Sequence, residues 1–409
     1  MKLAIVNAFY PPDSAITGVA ASELVETLRD AAPSLEVAVF ATDRSYDRAG
    51  EVVAGGPVER IPAAFRRSGS LLRLAGSVWD GIRLARRACR DADVVVAMSD
   101  PPLLGLWVAL ESRRKGRLWV DWTMDLYPEA FVAAGLISAR SVVYRSILGL
   151  MRRFQPDRYI CLGTAQHRWM QAHRAIDRPA FHYPCGICDV QASEPPAWRR
   201  DDRIVLAYAG NVGKAHSAEQ LAAIVRRADP AAFAFVLSIY GAKSARVKEL
   251  IGDRSNVTWC SHLSHADLAH ADAHIVSLLG AWSHICVPSK AVAAVCLGRP
   301  ILFAGSPDTD TWSQFAGAGW LIAERADGSY ESGDIDRALR SIADRRQLSS
   351  KAQRAAAIGL DLRRSAQGEV RRLADWLAAQ DPVVATAENR VRERKSLPLS
   401  ARPGRAGMR

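Results

Sequence analysis

Twice along this chain, short runs of apolar residues alternate with stretches of helical spacing, and the second series restarts after a proline-bearing break. That repetition limits the fold more than any other feature. In the first series, residues 2–8, 35–41, 93–98 and 118–122 read as strands, with helical patterns over 19–29, 71–89, 102–113 and 142–154. A further strand over 158–162 is followed by Thr164, a suitable cap for the short helix after it. The break covers 189–202, around Glu194-Pro195-Pro196. Strands over 203–209, 233–240, 256–260, 273–278 and 299–303 then alternate with helices over 218–227, 245–251, 266–270 and 290–297. Apolar strands separated by helices belong in parallel sheets covered on both faces. The prediction is therefore an α/β protein of two Rossmann-like, doubly wound domains, 1–189 and 190–366, with ligand at the carboxyl ends of the strands between them.

Composition removes several classes. A chain 49% hydrophobic and 24% charged is neither disordered overall nor a disulfide scaffold. The apolar start ends at Pro11-Pro12 with no small-residue cleavage pattern, so it reads as a first strand and not a signal peptide. No apolar stretch of about 18 residues is present, and a cytoplasmic protein is expected. Seven cysteines are few and odd in number. Cys185 and Cys188 form a Cys-x-x-Cys, but it precedes the linker and does not open a helix, so redox or metal chemistry fits it loosely.

The net charge of +11 is unevenly spread. Residues 381–409 carry seven basic groups against three acidic ones, with three prolines and no helical period, and are expected to be disordered. Residues 66–90 hold seven arginines and one acid, Asp80, with Leu71, Leu74, Val78, Ile82 and Ala85 at spacings of three or four. This is either a surface helix with a solvated basic face or a patch resting on the anionic inner membrane surface, at about 1 kcal/mol per basic residue. No binding motif accompanies the arginines, so no nucleic acid partner is expected.

Four segments could carry chemistry. After the first strand, Tyr10-Pro11-Pro12-Asp13 leads to Gly18 and a helix start, which favours an anion. Gly210-Asn211-Val212-Gly213-Lys214 follows the first strand of the second series and reads as a phosphate cradle or as a tight turn. In Pro288-Ser289-Lys290, Ser289 is a ready N-cap, and Lys290 opposes the helix dipole unless an anion is bound there. Asp125, at the carboxyl end of a strand, either faces the cleft or caps the helix begun by Pro128. His262, His265, His270 and His274 invite a metal, yet their spacing does not place them together, and no metal site is predicted.

These segments together resemble the bacterial retaining glycosyltransferases of family 4, of the two-Rossmann GT-B architecture, from Met1 to about Gln380. Val287-Pro288-Ser289-Lys290, with Gly298-Arg299-Pro300-Ile301 eight residues after the lysine, is similar to the signature of the branch acting in polysaccharide, O-antigen and colanic-acid-type assembly. Asp125-Leu126-Tyr127-Pro128-Glu129, Ser99-Asp100-Pro101-Pro102, Tyr208-Ala209-Gly210-Asn211 and Tyr10-Pro11-Pro12-Asp13 resemble its other landmarks. Pro184-Cys185-Gly186-Ile187-Cys188-Asp189 occupies the place of its hinge. The resemblance implies a last helix, 367–380, crossing back to the first domain. It implies metal-independent glycosyl transfer with retention, with no cofactor beyond a UDP-, GDP- or dTDP-sugar co-substrate. It further implies an acceptor that is a saccharide linked to a lipid, used in cell-surface polysaccharide synthesis. Lys214 and Lys290 would stabilise the departing diphosphate, Asp125 would orient the acceptor hydroxyl, and Gly18, Gly210, Asn211, His262, Leu263 and Ser289 would complete the donor site. One departure is plain: where the family carries two glutamates, this chain has Ile285 and Ala293. A sugar-nucleotide 2-epimerase and a binding paralogue without turnover are the alternatives.

Overall fold

The computed structural model describes residues 1–13, 15–44, 58–64, 70–190, 194–199 and 202–380. The tail 381–409, Arg66 and Arg67 lie outside them, as do the side chains of Leu71 and Leu74.

The first half runs β1 (Lys2–Val6), α1 (Ile16–Ala31), β2 (Glu36–Thr42), β3 (Val58–Ile61), α2 (Ser70–Asp91), β4 (Val94–Ala97) and α3 (Leu104–Lys115). It continues with β5 (Leu118–Trp122), α4 (Glu129–Ala133), α5 (Val142–Arg153), β6 (Arg158–Cys161), α6 (Thr164–Arg174) and β7 (Ala180–His182). The seven strands form one parallel sheet in the order β3-β2-β1-β4-β5-β6-β7. Ile5, for example, sits between Val39 and Val96. All three are fully buried, as a strand covered on both faces requires.

The second half holds β8 (Ile204–Asn211), α7 (Ala218–Arg227), β9 (Phe233–Tyr240), α8 (Ser244–Ile251), β10 (Val257–Trp259), α9 (His265–Leu268) and β11 (Ala273–Leu278). After it come α10 (Ser289–Cys296), β12 (Ile301–Gly305), α11 (Asp310–Phe315), β13 (Gly319–Ala323), α12 (Ser332–Ala343) and α13 (Arg345–Gln380). Its parallel sheet runs β10-β9-β8-β11-β12-β13. Strand order reverses direction at β1/β4 in one sheet and at β8/β11 in the other. The carboxyl ends of both sheets meet in a seam, where Leu126 N–H donates to Ile285 O at 3.0 Å.

Helix α13 spans 36 residues and serves both cores. Ala355 packs under α10, whereas Ala366, Val370, Leu373, Ala374 and Leu377 pack against β1 and α1 residues of the first domain. Residues 367–380 are thus the last turns of a helix that begins at Arg345.

Several elements carry no sequence signal of the kind used above. β3 is an edge strand, half-buried throughout, and β7 has three residues. α4 and α11 are five and six residues long, too short for a period to show. Strand β8 runs two residues past its expected end, so Gly210-Asn211 closes the strand and does not begin the turn.

Candidate functional site

Helix α10 begins differently from its expected form. Ser289 is its first helical residue, Pro288 holds the cap position, and no side chain caps the N-terminus. The reason is local. Proline's restricted φ, here −60°, suits the residue that enters a helix. Ser289 also lies against the hinge: a Cβ on Gly186 would fall 2.6 Å from Ser289 O. The start of α10 is therefore left with the partial positive charge of its backbone and no side-chain oxygen to absorb it.

Lys290 adds to that charge. Its Nζ is 3.4 Å from Asn211 O and 5.2 Å from the centre of the Tyr208 ring. Among the described residues no carboxylate lies within salt-bridge distance of it, and burial pushes its pKa down to about 8. Gly210, at φ +118°, faces the lysine stem; a Cβ there would sit 3.0 Å from Lys290 Cε, in a backbone conformation L side chains rarely adopt. Behind it, His216 places Nδ1 at 2.8 Å from Ser277 O, and burial together with Lys290 lowers its pKa to about 3. The histidine is neutral, so it adds no charge to the site.

Asp125 faces this group from the first domain. Its N–H donates to Ser99 Oγ at 3.0 Å. It caps nothing: α4 starts behind Pro128 with no side-chain cap. Burial, then the nearby Asp100 carboxylate, raise its pKa to about 7. Asp100 is itself raised by burial, and Thr17 Oγ1 donates to its Oδ2 at 3.3 Å. The half-buried Cys286 thiol is pushed up by burial and by Asp125 and drawn down by Lys290, so it lies within electrostatic reach of both. Sequence reasoning placed Asp100 in the Ser99-Asp100-Pro101-Pro102 landmark but assigned it no role, and assigned none to Thr17 or Cys286. Asp100 had a visible signal, since it lies just past the carboxyl end of β4, beside the switch point.

The remaining candidates fall elsewhere on the seam. Gly18 is packed against the backbone of Phe9 and Tyr10, 3.0 Å from a Cβ, and brings the start of α1 up to the Tyr10-Pro11 turn. Lys214 does not join Lys290; it is exposed, and its Nζ donates to Ala134 O across the seam at 3.1 Å. His262 is exposed and Leu263 buried after β10. His274 is buried with Nε2 against Leu268 O, and burial lowers its pKa to about 4. Among the described residues no group of three His, Cys, Asp or Glu side chains is arranged to hold a metal ion.

Three further expectations meet a correction or a division. Thr164 does not cap α6; Asp310 of the second domain does, accepting from Ala165 N at 2.8 Å and Gln166 N at 2.5 Å. Two main-chain bonds to a carboxylate outweigh one to a hydroxyl. Glu129 is not at the seam surface but buried, in a bidentate pair with Arg174. The basic helix α2 also divides. Arg83, Arg86 and Arg87 are matched by Asp80, Glu111 and Glu59, and Leu84, Ala85 and Ala88 belong to the core, while Leu72 and Trp79 stay exposed.

No family model matches the chain. It is 26% identical over 245 residues to the probable glycosyltransferase WbjE of Pseudomonas aeruginosa, covering 54% of this chain and 59% of that one. The chain thus spans less than two thirds of the relative's length. Its structure resembles sucrose-phosphate synthase of Thermosynechococcus elongatus (TM-score 0.64, 13% identity, 97% and 99% of the two chains). It also resembles Anabaena HepE in complex with UDP-glucose (0.64, 16%, 92% and 100%). The same fold recurs in a putative UDP-N-acetylglucosamine 2-epimerase from Listeria monocytogenes (0.59, 13%, 92% and 96%). At these identities the structural likeness is one of fold: two parallel-sheet, Rossmann-like domains in the GT-B arrangement.

Proposed function

We infer that this protein is a glycosyltransferase that binds a nucleoside-diphosphate sugar at the start of α10 and transfers the sugar to an acceptor held by the first domain. One observation carries the reading: Lys290, recessed without a carboxylate partner at an uncapped helix N-terminus. A buried cation in that position costs stability until an anion arrives, and a diphosphate supplies two negative groups at the right place. The resemblance to WbjE, and a fold shared with a protein that binds UDP-glucose, support the same class.

In the proposed reaction the anomeric carbon–oxygen bond breaks and its electron pair leaves with the diphosphate. Lys290 and the α10 backbone stabilise that charge. Lys214, at the rim, contributes once its bond to Ala134 O is exchanged for phosphate. The acceptor hydroxyl bonds the anomeric carbon on the face the diphosphate leaves, giving retention, and its proton passes to the leaving phosphate oxygen. Asp125 orients that hydroxyl. In this reading no metal or further cofactor is required, and the chain stands with family 4 and its polysaccharide branch. Gly18, Gly210, Asn211 and Ser289 then flank the phosphates, and His262 and Leu263 the base. The acceptor is a lipid-linked saccharide at the inner membrane surface.

The test is a thermal-shift screen of UDP-, GDP- and dTDP-sugars, followed by product analysis with and without acceptor. A ligand at a hundred times its Kd adds about 2.7 kcal/mol to stability. Conversion without acceptor would instead favour the epimerase, whose fold is shared. Binding without conversion would favour a paralogue disabled at Ile285 and Ala293, both buried here.

A further inference from the structure

We propose that α5 is an in-plane docking helix for an anionic lipid bilayer, and that it, more than the arginine-rich α2, holds the mouth of the seam at the membrane. No residue of α5 is buried in the protein. Val142 is 69% exposed, Val143 58% and Leu150 39%, with Leu136 just before the helix at 55%. At 3.6 residues per turn, Val142, Ser146, Leu150 and Val143 share an arc of roughly 100° with Arg153 inside it, and Arg145 and Arg152 follow along one edge. An apolar strip edged by arginines is the form of a helix lying in the headgroup region, its basic side chains reaching outward to phosphates.

Charge selects the occupant. Between Glu129 and Asp157 the chain has no acidic residue, but four arginines: Arg140, Arg145, Arg152 and Arg153. Glu129 is consumed internally by Arg174. Among the described residues no ion pair joins any of the four arginines to a carboxylate, in contrast to Arg83, Arg86 and Arg87 of α2. Unmatched positive charge beside exposed valines and leucines suits anionic lipid; the matched charge of Arg83, Arg86 and Arg87 does not need it.

Position supplies the second argument. In a parallel sheet covered by helices, each helix starts at the carboxyl ends of the strands, which here is the seam. Leu136 and Val142 are therefore near it, and Lys214 of the second domain touches Ala134 O, two residues before Leu136. Helix α5 also rests on an apolar crevice walled by Leu106, Trp119, Leu148, Met151 and Phe154, so its inner face is only partly committed to the domain.

The docking does not depend on transfer activity, and its test is separate from it. The full chain is sedimented with phosphatidylcholine vesicles containing roughly a third phosphatidylglycerol, and with phosphatidylcholine alone. Wild type should bind the anionic vesicles at low salt, release as salt rises, and ignore the neutral ones. The exposed pair Val142→Glu with Val143→Glu, and separately Arg140→Glu with Arg145→Glu, should each lower partitioning at least about tenfold, whereas Leu72→Glu with Trp79→Glu should lower it less. Stabilisation by a soluble sugar nucleotide should be unchanged in all three, which separates lost docking from lost folding and from failure of the transferase reading. The proposal is overturned by wild-type failure at low salt, by equal binding to both vesicles, or by α5 variants that bind as wild type. It is overturned equally if gel filtration shows the wild type paired through this face and the α5 variants monomeric.

Discussion

On the first-domain wall of the seam, Asp100 and Asp125 are carboxyls held toward their neutral forms; on the second-domain wall, Lys290 is an ammonium held toward its own. Acid and base face one another there, yet no salt bridge joins them, and the Cys286 thiol is within electrostatic reach of Asp125 and Lys290. Each wall is left unfinished by its own domain. Structural ion pairs elsewhere in the chain look different: Arg174 and Glu129 are buried together and bonded twice. A site that must accept an anion and an acceptor hydroxyl cannot close on itself in that way.

Lys290→Ala tests the second-domain wall and should have the largest effect. Turnover is expected to fall at least about a hundredfold, the usual scale for one electrostatic stabiliser. The apoprotein should not be destabilised, and pH shows why. A lysine whose folded pKa lies below its unfolded one favours folding above the unfolded pKa, and that contribution is lost as pH falls through about 8. At neutral pH the charged lysine therefore costs apo stability, on the order of 3 kcal/mol. Lys290→Met should raise the apo melting temperature and abolish most stabilisation by UDP. Normal turnover in either variant removes Lys290 from the mechanism.

The first-domain wall should respond more moderately. Asp125→Asn is expected to lower turnover by about ten- to a hundredfold, since it keeps the shape and loses the negative charge. In the free enzyme, ionisation at about pH 7 should appear as an acidic limb of kcat/KM. Asp100→Asn should move that limb to lower pH, because it removes the repulsion that opposes Asp125 ionisation. A limb that stays in place would show that Asp125 is not the titrating group.

How much of this was legible follows from the kind of signal each part needs. The two sheets were readable because buried parallel strands such as β4 and β12 are unbroken apolar runs, and Pro195-Pro196 marks the restart. Lys290 was readable because its place after Pro288 is a local fact. Ser289 and Thr164 were misread as caps for a shared reason. Each depends on a partner far away in sequence: Gly186 for Ser289 and Asp310 for α6. Helix α5 is the same case inverted. Its period was plain, but that its apolar face would find no partner in the domain could not be read from the period.

Lys214→Ala should cost less than either wall, about three- to tenfold in turnover. The ammonium is exposed and already bonded to a carbonyl of the opposite domain, so part of its gain on meeting phosphate is offset by that lost bond. Steady-state kinetics against donor concentration would settle the rank. A loss as large as that of Lys290→Ala would mean the seam rearranges to bring both lysines onto one phosphate.

The smallest effects are expected at the hinge, where the Cys-x-x-Cys sits. Its two thiols do not face one another in function: Cys185 lies in the core of the first domain and Cys188 in that of the second. Cys185 Sγ points to Ile16 O at 3.9 Å and Cys188 Sγ to Ala293 O at 3.8 Å. Burial raises the Cys185 thiol well out of the range where thiolate forms, so it is a poor nucleophile and a poor metal ligand. Cys185→Ser and Cys188→Ser should each keep turnover within about threefold, with a stability loss of roughly 1 kcal/mol from placing a hydroxyl in an apolar site. Gly186 between them is a different matter. At φ +94° and against Ser289 O, Gly186→Ala would push on the start of α10 and should reduce turnover more than either cysteine variant. Melting curves and kinetics on the three proteins decide it. Loss of activity in a cysteine variant together with loss of stoichiometric zinc would overturn the reading, and a silent Gly186→Ala would uncouple the hinge from Lys290.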